Sequence, residues 1–392
     1  MRKFSARHLI LAGSIFVGSC ANGQSTNQVF LQSIGHANAG GYAYNLALSG
    51  SNLYLGEFNG LRTYDVSDPT NPIQLGYASD AGSVRSIALR YPFAYLATGN
   101  GGLRVYDISN ATNPVSVGQA YYGGSAESVS ISANYAYLVG ANDFFRVYDI
   151  SNPTNPISVA HRGYGTYGLL ATNNYAYVTM PNSTHALAIY DVSEPANPTA
   201  RYVSSGGYLM SLTLSGRHLY VPSQAFEGNR TGLLVFDVSN PTNPVFQASA
   251  KASIRVGASV GVQGDYAYLA NGVNGLDVFD VSGLASANLP KVGHADSIGT
   301  HLAVRDHFVY MANSQDGLRI YAITPRLTID RTTANSLLLS WPATASFRLQ
   351  QNPNLNFSNW ATLTNTPISA GARDQIALLP QPGNSFFRLV SN

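Results

Sequence analysis

Charge is what this chain has least of. Only 11% of its 392 residues are Asp, Glu, Lys or Arg, too few for long solvent-exposed helices. Cysteine occurs once, at Cys20, so no disulfide can form within the chain. No basic block stands anywhere, which argues against a nucleic-acid partner. In place of charge there are 37 Gly and 25 Tyr, the composition of many short strands and tight turns.

The first twenty residues, MRKFSARHLILAGSIFVGSC, set a short basic start before an apolar run from Leu9 to Gly18. That is a signal peptide, too short for a permanent membrane span. Removing Arg2, Lys3 and Arg7 from 22 basic residues leaves 19 against 20 acidic ones, so the exported chain is near neutral. Val17-Gly18-Ser19-Cys20 resembles the lipobox of bacterial lipoproteins. The resemblance implies lipidation of Cys20 and a membrane contact through that anchor alone. Ala21, where retained lipoproteins carry Asp, implies the outer membrane or cell surface. Ordinary secretion or a periplasmic address, with cleavage nearby, is the other reading. Residues 21–28 read as a linker.

One phrase organises the rest. YDVSDPTNP at 64–72 returns as YDISNATNP, YDISNPTNP, YDVSEPANP and FDVSNPTNP. Its aspartate recurs at Asp65, Asp107, Asp149, Asp191, Asp237 and Asp280, and a further step of 42 lands on Ala322. A period of 40–45 with strand signals only points to propeller blades. Within 83–120, SVRSIAL, FAYLATG, LRVYDIS and PVSVGQA are four short strands bounded by Gly, Pro and Asn. The expected fold is all-β, a seven-bladed β-propeller over 29–324. The segment 29–35 matches a fourth strand and should close the last blade, removing an open edge. The repeated aspartates read as turn residues, accepting hydrogen bonds from turn N–H groups.

Segments such as LRVYDIS and LDVFDVS resemble the LVIVD repeat of bacterial and archaeal surface proteins. The resemblance implies a propeller outside the cytoplasm and assigns no activity or functional residues. After Pro325 the period is lost. Residues 325–392 hold both tryptophans, Trp341 and Trp360, and read as a small β-sandwich-like domain, serving interaction, sorting or capping.

Two motifs are set aside. Gly163-Tyr-Gly165-Thr-Tyr-Gly168 precedes a strand, whereas a dinucleotide site needs a helix there. Gly257-Ala-Ser259-Val-Gly261 lies within a strand and not at a strand-to-helix elbow. His36, His161 and His294 occupy one repeat position, filled elsewhere by Tyr77, Gln119 and Tyr202. They stand too far around the ring to share an ion, so no metal and no cofactor is expected.

The crossings between blades and the turns between second and third strands share one rim, rich in Asn, Asp, Gly and Tyr. Such a rim suits hydrogen bonding and stacking with a glycan, peptide or surface protein. It equally suits turn formation alone. Candidate ligand residues are Tyr122, Tyr164, Phe226, Glu227, Arg230, Asp296 and Asp316. The long loop 223–232 is the main break in the period. The function expected is non-enzymatic binding or scaffolding outside the cytoplasm. The alternative is an enzyme acting on polysaccharide through Glu57, Glu127, Glu227 or Asp296, which requires two carboxylates roughly 5–10 Å apart.

Overall fold

Each repeat folds into one antiparallel sheet. The computed structural model describes residues 29–392 except 142–144, 163–166, 173, 183–184, 227–229, 256, 285–287, 326, 333–335, 343–346, 354–359, 371–372, 380–384 and 392. The leader with Cys20, and likewise Tyr164 and Glu227, therefore lie outside the described residues.

In sheets 1–4 and 6 the four strands lie side by side in chain order. Sheet 1 is Ala43–Ser49, Asn52–Glu57, Gly60–Asp65 and Ile73–Ala78. Sheets 2, 3 and 4 begin at Ser86, Ser125 and Leu169, and sheet 6 at Ser259. Sheet 5 is built on the long strand His218–Phe226, flanked by Gly232–Asp237 and Val245–Ala250 on one side. On its other side run two short strands, Gly207–Leu209 and Thr213–Ser215, and Pro181–Asn182 adds to the first of these. Sheet 7 takes His301–Arg305, Phe308–Ala312 and Leu318–Pro325 from late in the chain, and its fourth place is filled by Val29–Ala37.

The chain divides into two compact units. One spans Gln32–Ala322; the other gathers the described residues before 32 and after 322. In the larger unit the first strands of sheets 1 to 4, and those of sheets 5 to 7, touch in succession, and the first strand of sheet 7 returns to that of sheet 1. Sheets 4 and 5 are joined by the Thr179 hydroxyl, which donates to the Met210 carbonyl. An apolar cluster fills each interface from sheets 7 and 1 round to sheets 5 and 6. Tyr54, Tyr95, Tyr137 and Tyr310, from the same place in four second strands, are all essentially buried. Full burial of such a side chain stabilises by about 1.5–3 kcal/mol.

Polar side chains complete the ring where first strands meet. Ile87 N–H donates to Asn45 Oδ1 (3.2 Å), Val129 N–H to Ser86 Oγ (3.2 Å), Ala171 N–H to Ser130 Oγ (2.9 Å) and Leu302 N–H to Ser259 Oγ (3.0 Å). Leu46 N–H closes the circuit on His301 Nδ1 (3.4 Å). The innermost strand of a sheet has no strand partner on its inner side, so such acceptors satisfy donors that would otherwise be stranded.

The repeated phrase does two things. Its aspartates accept the N–H two residues on, as at Ser67, Ser109 and Ser151, each at 2.8 Å. The turn they form then docks on the preceding sheet. A Cβ on Gly76 would come within 2.6 Å of the Thr112 carbonyl, and Gly118 and Gly35 meet Pro153 and Pro69 in the same way. Glycine stands in the fourth strand there because the next turn's backbone leaves no room for a side chain.

In the smaller unit, Thr328–Arg331, Leu337–Pro342, Arg373–Leu378 and Ile368–Ala370 form one sheet. Ala361–Thr362, Phe347–Asn352 and Phe386–Ser391 form a second. Leu327, Leu339, Trp341, Leu349, Ile376, Phe387 and Leu389 make up its core.

Candidate functional site

One face of the ring is built from the starts of the first strands and the turns between second and third strands. Backbone bridges lock the two together, pairing Ala43 with Ser314, Gly99 with Ala126 and Gly272 with Gly299. Third-strand tyrosines tie down the crossings. Tyr64 donates to the Asn38 carbonyl (3.1 Å), Tyr106 to Asp80 (2.8 Å) and Tyr148 to the Tyr121 carbonyl (2.8 Å). Phe236 and Phe279 stand at the equivalent place in sheets 5 and 6, without a hydroxyl to donate.

Several residues expected on this rim are elsewhere. Tyr122 is fully buried in the core between sheets 2 and 3, with the Arg146 guanidinium 5.8 Å from its ring centre. Its neighbour Tyr121 is 78% exposed. Phe226 is also buried, edge-on to Phe236, because the strand of sheet 5 runs on to Phe226 and turns that ring inward. Of the segment 223–232, residues 223–226 and 232 are thus sheet. Arg230 remains exposed, lying over the Phe246 ring at 4.4 Å.

Several of the acids are committed to partners. Glu57 is completely buried and grips Arg62 at 2.6 and 3.1 Å, which suits it to structure and not to catalysis. Asp316 accepts from Asn313 (2.8 Å) and from Arg319, and contacts His36 at 3.2 Å. Burial opposes its charge, but the hydrogen bonds from Arg319 and Asn313 outweigh that and hold the carboxyl below the usual range. Asp296 is fully exposed, 3.2 Å from His294 Nε2, while His294 Nδ1 contacts buried Asp277 at 2.6 Å. Asp277 also binds Lys291 at 2.5 Å.

The histidine position is a cross-strand pair. His161 lies opposite Arg146 and His294 opposite Asp277, as Tyr77 lies opposite Arg62 and Gln119 opposite Arg104. In sheet 4 the register puts Val203, not Tyr202, at this place. Among the described residues no three His, Cys, Asp or Glu side chains converge as a metal site.

The geometry shows a second cluster at the axial mouth. Tyr44, Arg85, Glu127 and Thr300 each follow the residue that locks onto the preceding turn. Arg85 Nη1 reaches Glu127 Oε2 at 3.4 Å, its Nε donates to Ser83 Oγ at 3.2 Å, and its guanidinium lies 5.2 Å from the Tyr44 ring centre. Ser125 donates to Glu127 Oε1 at 2.8 Å. Tyr167 joins from sheet 4. Burial raises its pKa, and the nearby Glu127 charge adds to this. Arg85 and Glu127 side chains are 37% and 23% exposed. The sequence signal was a repeat column whose chemistry changes from unit to unit between a small or apolar residue (Ala43, Val84, Ala126, Gly299) and a polar one (Asn45, Ser86, Ser128, His301).

Around that mouth stand exposed apolar side chains on the same turns and crossings: Tyr42, Phe58, Tyr121, Tyr208, Val273 and Ile298, each 43% exposed or more.

This is the architecture of a β-propeller. The Cps50 (Swd1) β-propeller domain of Myceliophteria thermophila superposes with a TM-score of 0.58 at 12% identity, covering 75% of this chain and all of that one. BamB of Moraxella catarrhalis gives 0.54 at 12% identity, over 74% of this chain and 97% of that one. At such identities the likeness concerns fold alone. The LVIVD repeat model matches residues 40–78, 81–120, 123–161, 167–201, 206–251 and 255–291, and the chain belongs to that family. The match ends before sheet 7, the unit split between distant parts of the chain. No curated protein matches the chain in sequence.

Proposed function

We propose that this protein is a non-enzymatic binding or scaffold protein that takes a polar ligand, a glycan, peptide or surface protein, on the turn-and-crossing face of its propeller. The observation that carries this reading is the aromatic rim around a polar mouth. Tyr42, Phe58 and Tyr121 offer flat apolar area to water at 46%, 52% and 78% exposure. Of the rim carboxylates among the described residues, Glu57, Asp80 and Asp316 are held by their own neighbours, while the more open Glu127, on sheet 3, and Asp296, on the crossing into sheet 7, belong to sheets that are not neighbours. Glycosidic chemistry asks for two carboxylates left to face a substrate, so binding is favoured over the hydrolytic alternative.

The leader supports an address outside the cytoplasm, with Cys20 as lipid anchor in an outer-membrane or surface location. The test is a glycan and surface-protein binding screen with the full mature protein and with Phe58→Ala/Tyr121→Ala. Loss of binding in the double variant, with unchanged melting, supports the face; unchanged binding refutes it. Incorporation of labelled palmitate, lost on Cys20→Ala, checks the anchor.

A further inference from the structure

Two Arg–Glu pairs lie on the ligand face, and they differ. In the Arg62–Glu57 pair both carboxylate oxygens are engaged, at 2.6 and 3.1 Å, and the acid is buried. That pair is closed. In the Arg85–Glu127 pair a single contact spans 3.4 Å, well beyond the about 2.7–2.9 Å of a strong charge-assisted bond. Arg85 Nη2 donates to nothing among the described residues, and its side chain is open to solvent. A guanidinium carries five N–H donors in a planar fork that matches a carboxylate. This one is held over Tyr44, oriented by Ser83, and only loosely neutralised.

We propose that the axial mouth binds a sugar acid, a uronate residue of a polysaccharide, with Arg85 taking the carboxylate and Glu127 accepting ring hydroxyls. This deepens the reading above and rests on it. The ligand must carry a negative charge for Arg85 and hydroxyl donors for Glu127, on one small body. A sugar acid places both on a single ring. Ser125 adds a hydroxyl group at the mouth, and Tyr44 and Tyr167 supply aromatic walls.

A peptide is disfavoured by the same geometry. Peptide strands are captured by free backbone donors on a sheet edge. Here several of the inner edge's N–H groups already donate to Asn45, Ser86, Ser130, Ser259 and His301. The exposed rings of Phe58 and Tyr121 lie outside the mouth, where neighbouring sugars of a chain would stack.

The experiment is calorimetric titration of the full mature protein with short oligomers of galacturonate, glucuronate and mannuronate, each beside its methyl ester. At least one acid form should bind about tenfold or more tightly than its ester, with affinity falling as salt rises. Arg85→Gln should bring acid and ester within about twofold of each other, while Arg85→Lys keeps part of the preference. Arg85 is partly exposed, so these variants are expected to fold, and an unchanged melting temperature checks that. Equal binding of acids and esters, or a preference that survives Arg85→Gln, overturns the sugar-acid assignment and leaves the binding face intact. Binding of carboxylate-terminated peptides with no binding of any sugar also overturns it. If no ligand of any kind binds, and Phe58→Ala/Tyr121→Ala changes nothing in the wider screen, the underlying reading fails instead.

Discussion

Tyr121 and Tyr122 stand side by side, one almost fully exposed and the other fully buried. Successive side chains of an extended chain point to opposite sides. Composition places aromatics at this crossing, but only the phase of the alternation says which faces water. Glu57 teaches the same lesson in charge. Its position beside a turn reads as a rim acid; its burial against Arg62 makes it a structural strut. Glu57→Gln leaves Arg62 with one side of its ion pair missing in a site it cannot leave. A loss of about 3–5 kcal/mol is expected, measured by urea unfolding. Gly118→Val is a second case at this scale. Its side chain would strike the Pro153 carbonyl of the next turn, and overpacking of this kind costs about 1–3 kcal/mol or more. Gly283→Ala, where a Cβ meets nothing within 4 Å, should change melting by far less.

Among elements, the repeated phrase was legible because it is local. An Asp accepting the N–H two residues later needs only the turn itself, and six units show the contact. Its second role, wedging under a neighbouring glycine, joins residues about 36 positions apart and leaves no local trace. The turn carboxylates also predict acid behaviour. Hydrogen bonds from Ser193, with help from Arg201, pull Asp191 down to about 2 from an ordinary 3.8. Asp65, Asp107, Asp149 and Asp237 are lowered by the serines that follow them. A carboxyl lowered by folding stabilises above its unfolded pKa, and that stability is lost as pH falls through the folded value. Stability should therefore drop between pH 3.8 and about 2. Asp191→Asn should flatten part of that slope in denaturant titrations.

The whole molecule depends on how the ring is closed. Val29–Ala37 occupies the outer place of sheet 7, and deleting 29–37 would leave the edge of Leu318–Pro325 unpaired. Bare edges recruit other chains, so the deletion variant should aggregate on size-exclusion chromatography. On the inner side the closing acceptor is His301, whose pKa burial pushes down to about 4. The unfolded chain binds a proton near pH 6.5 and the folded chain resists it. The contribution is thus complete above pH 6.5, falls as pH drops, and is gone below about 4. It amounts to about 3 kcal/mol. His301→Gln should remove the pH 6.5-to-4 limb of the unfolding midpoint while leaving the limb below it.

The period, the strand-turn grammar of each unit and the turn role of its aspartates are already plain in the bare chain. Those rest on contacts a few residues long, repeated often enough to be read. Which aromatics line the rim, which rim acids are locked, and that Tyr44, Arg85, Glu127 and Tyr167 meet at one mouth follow from the folded ring alone. These four come from four different sheets, about 40 residues apart in turn. Their proximity is set by the radius of the ring and the phase of each first strand, and neither quantity is written in any local stretch of chain.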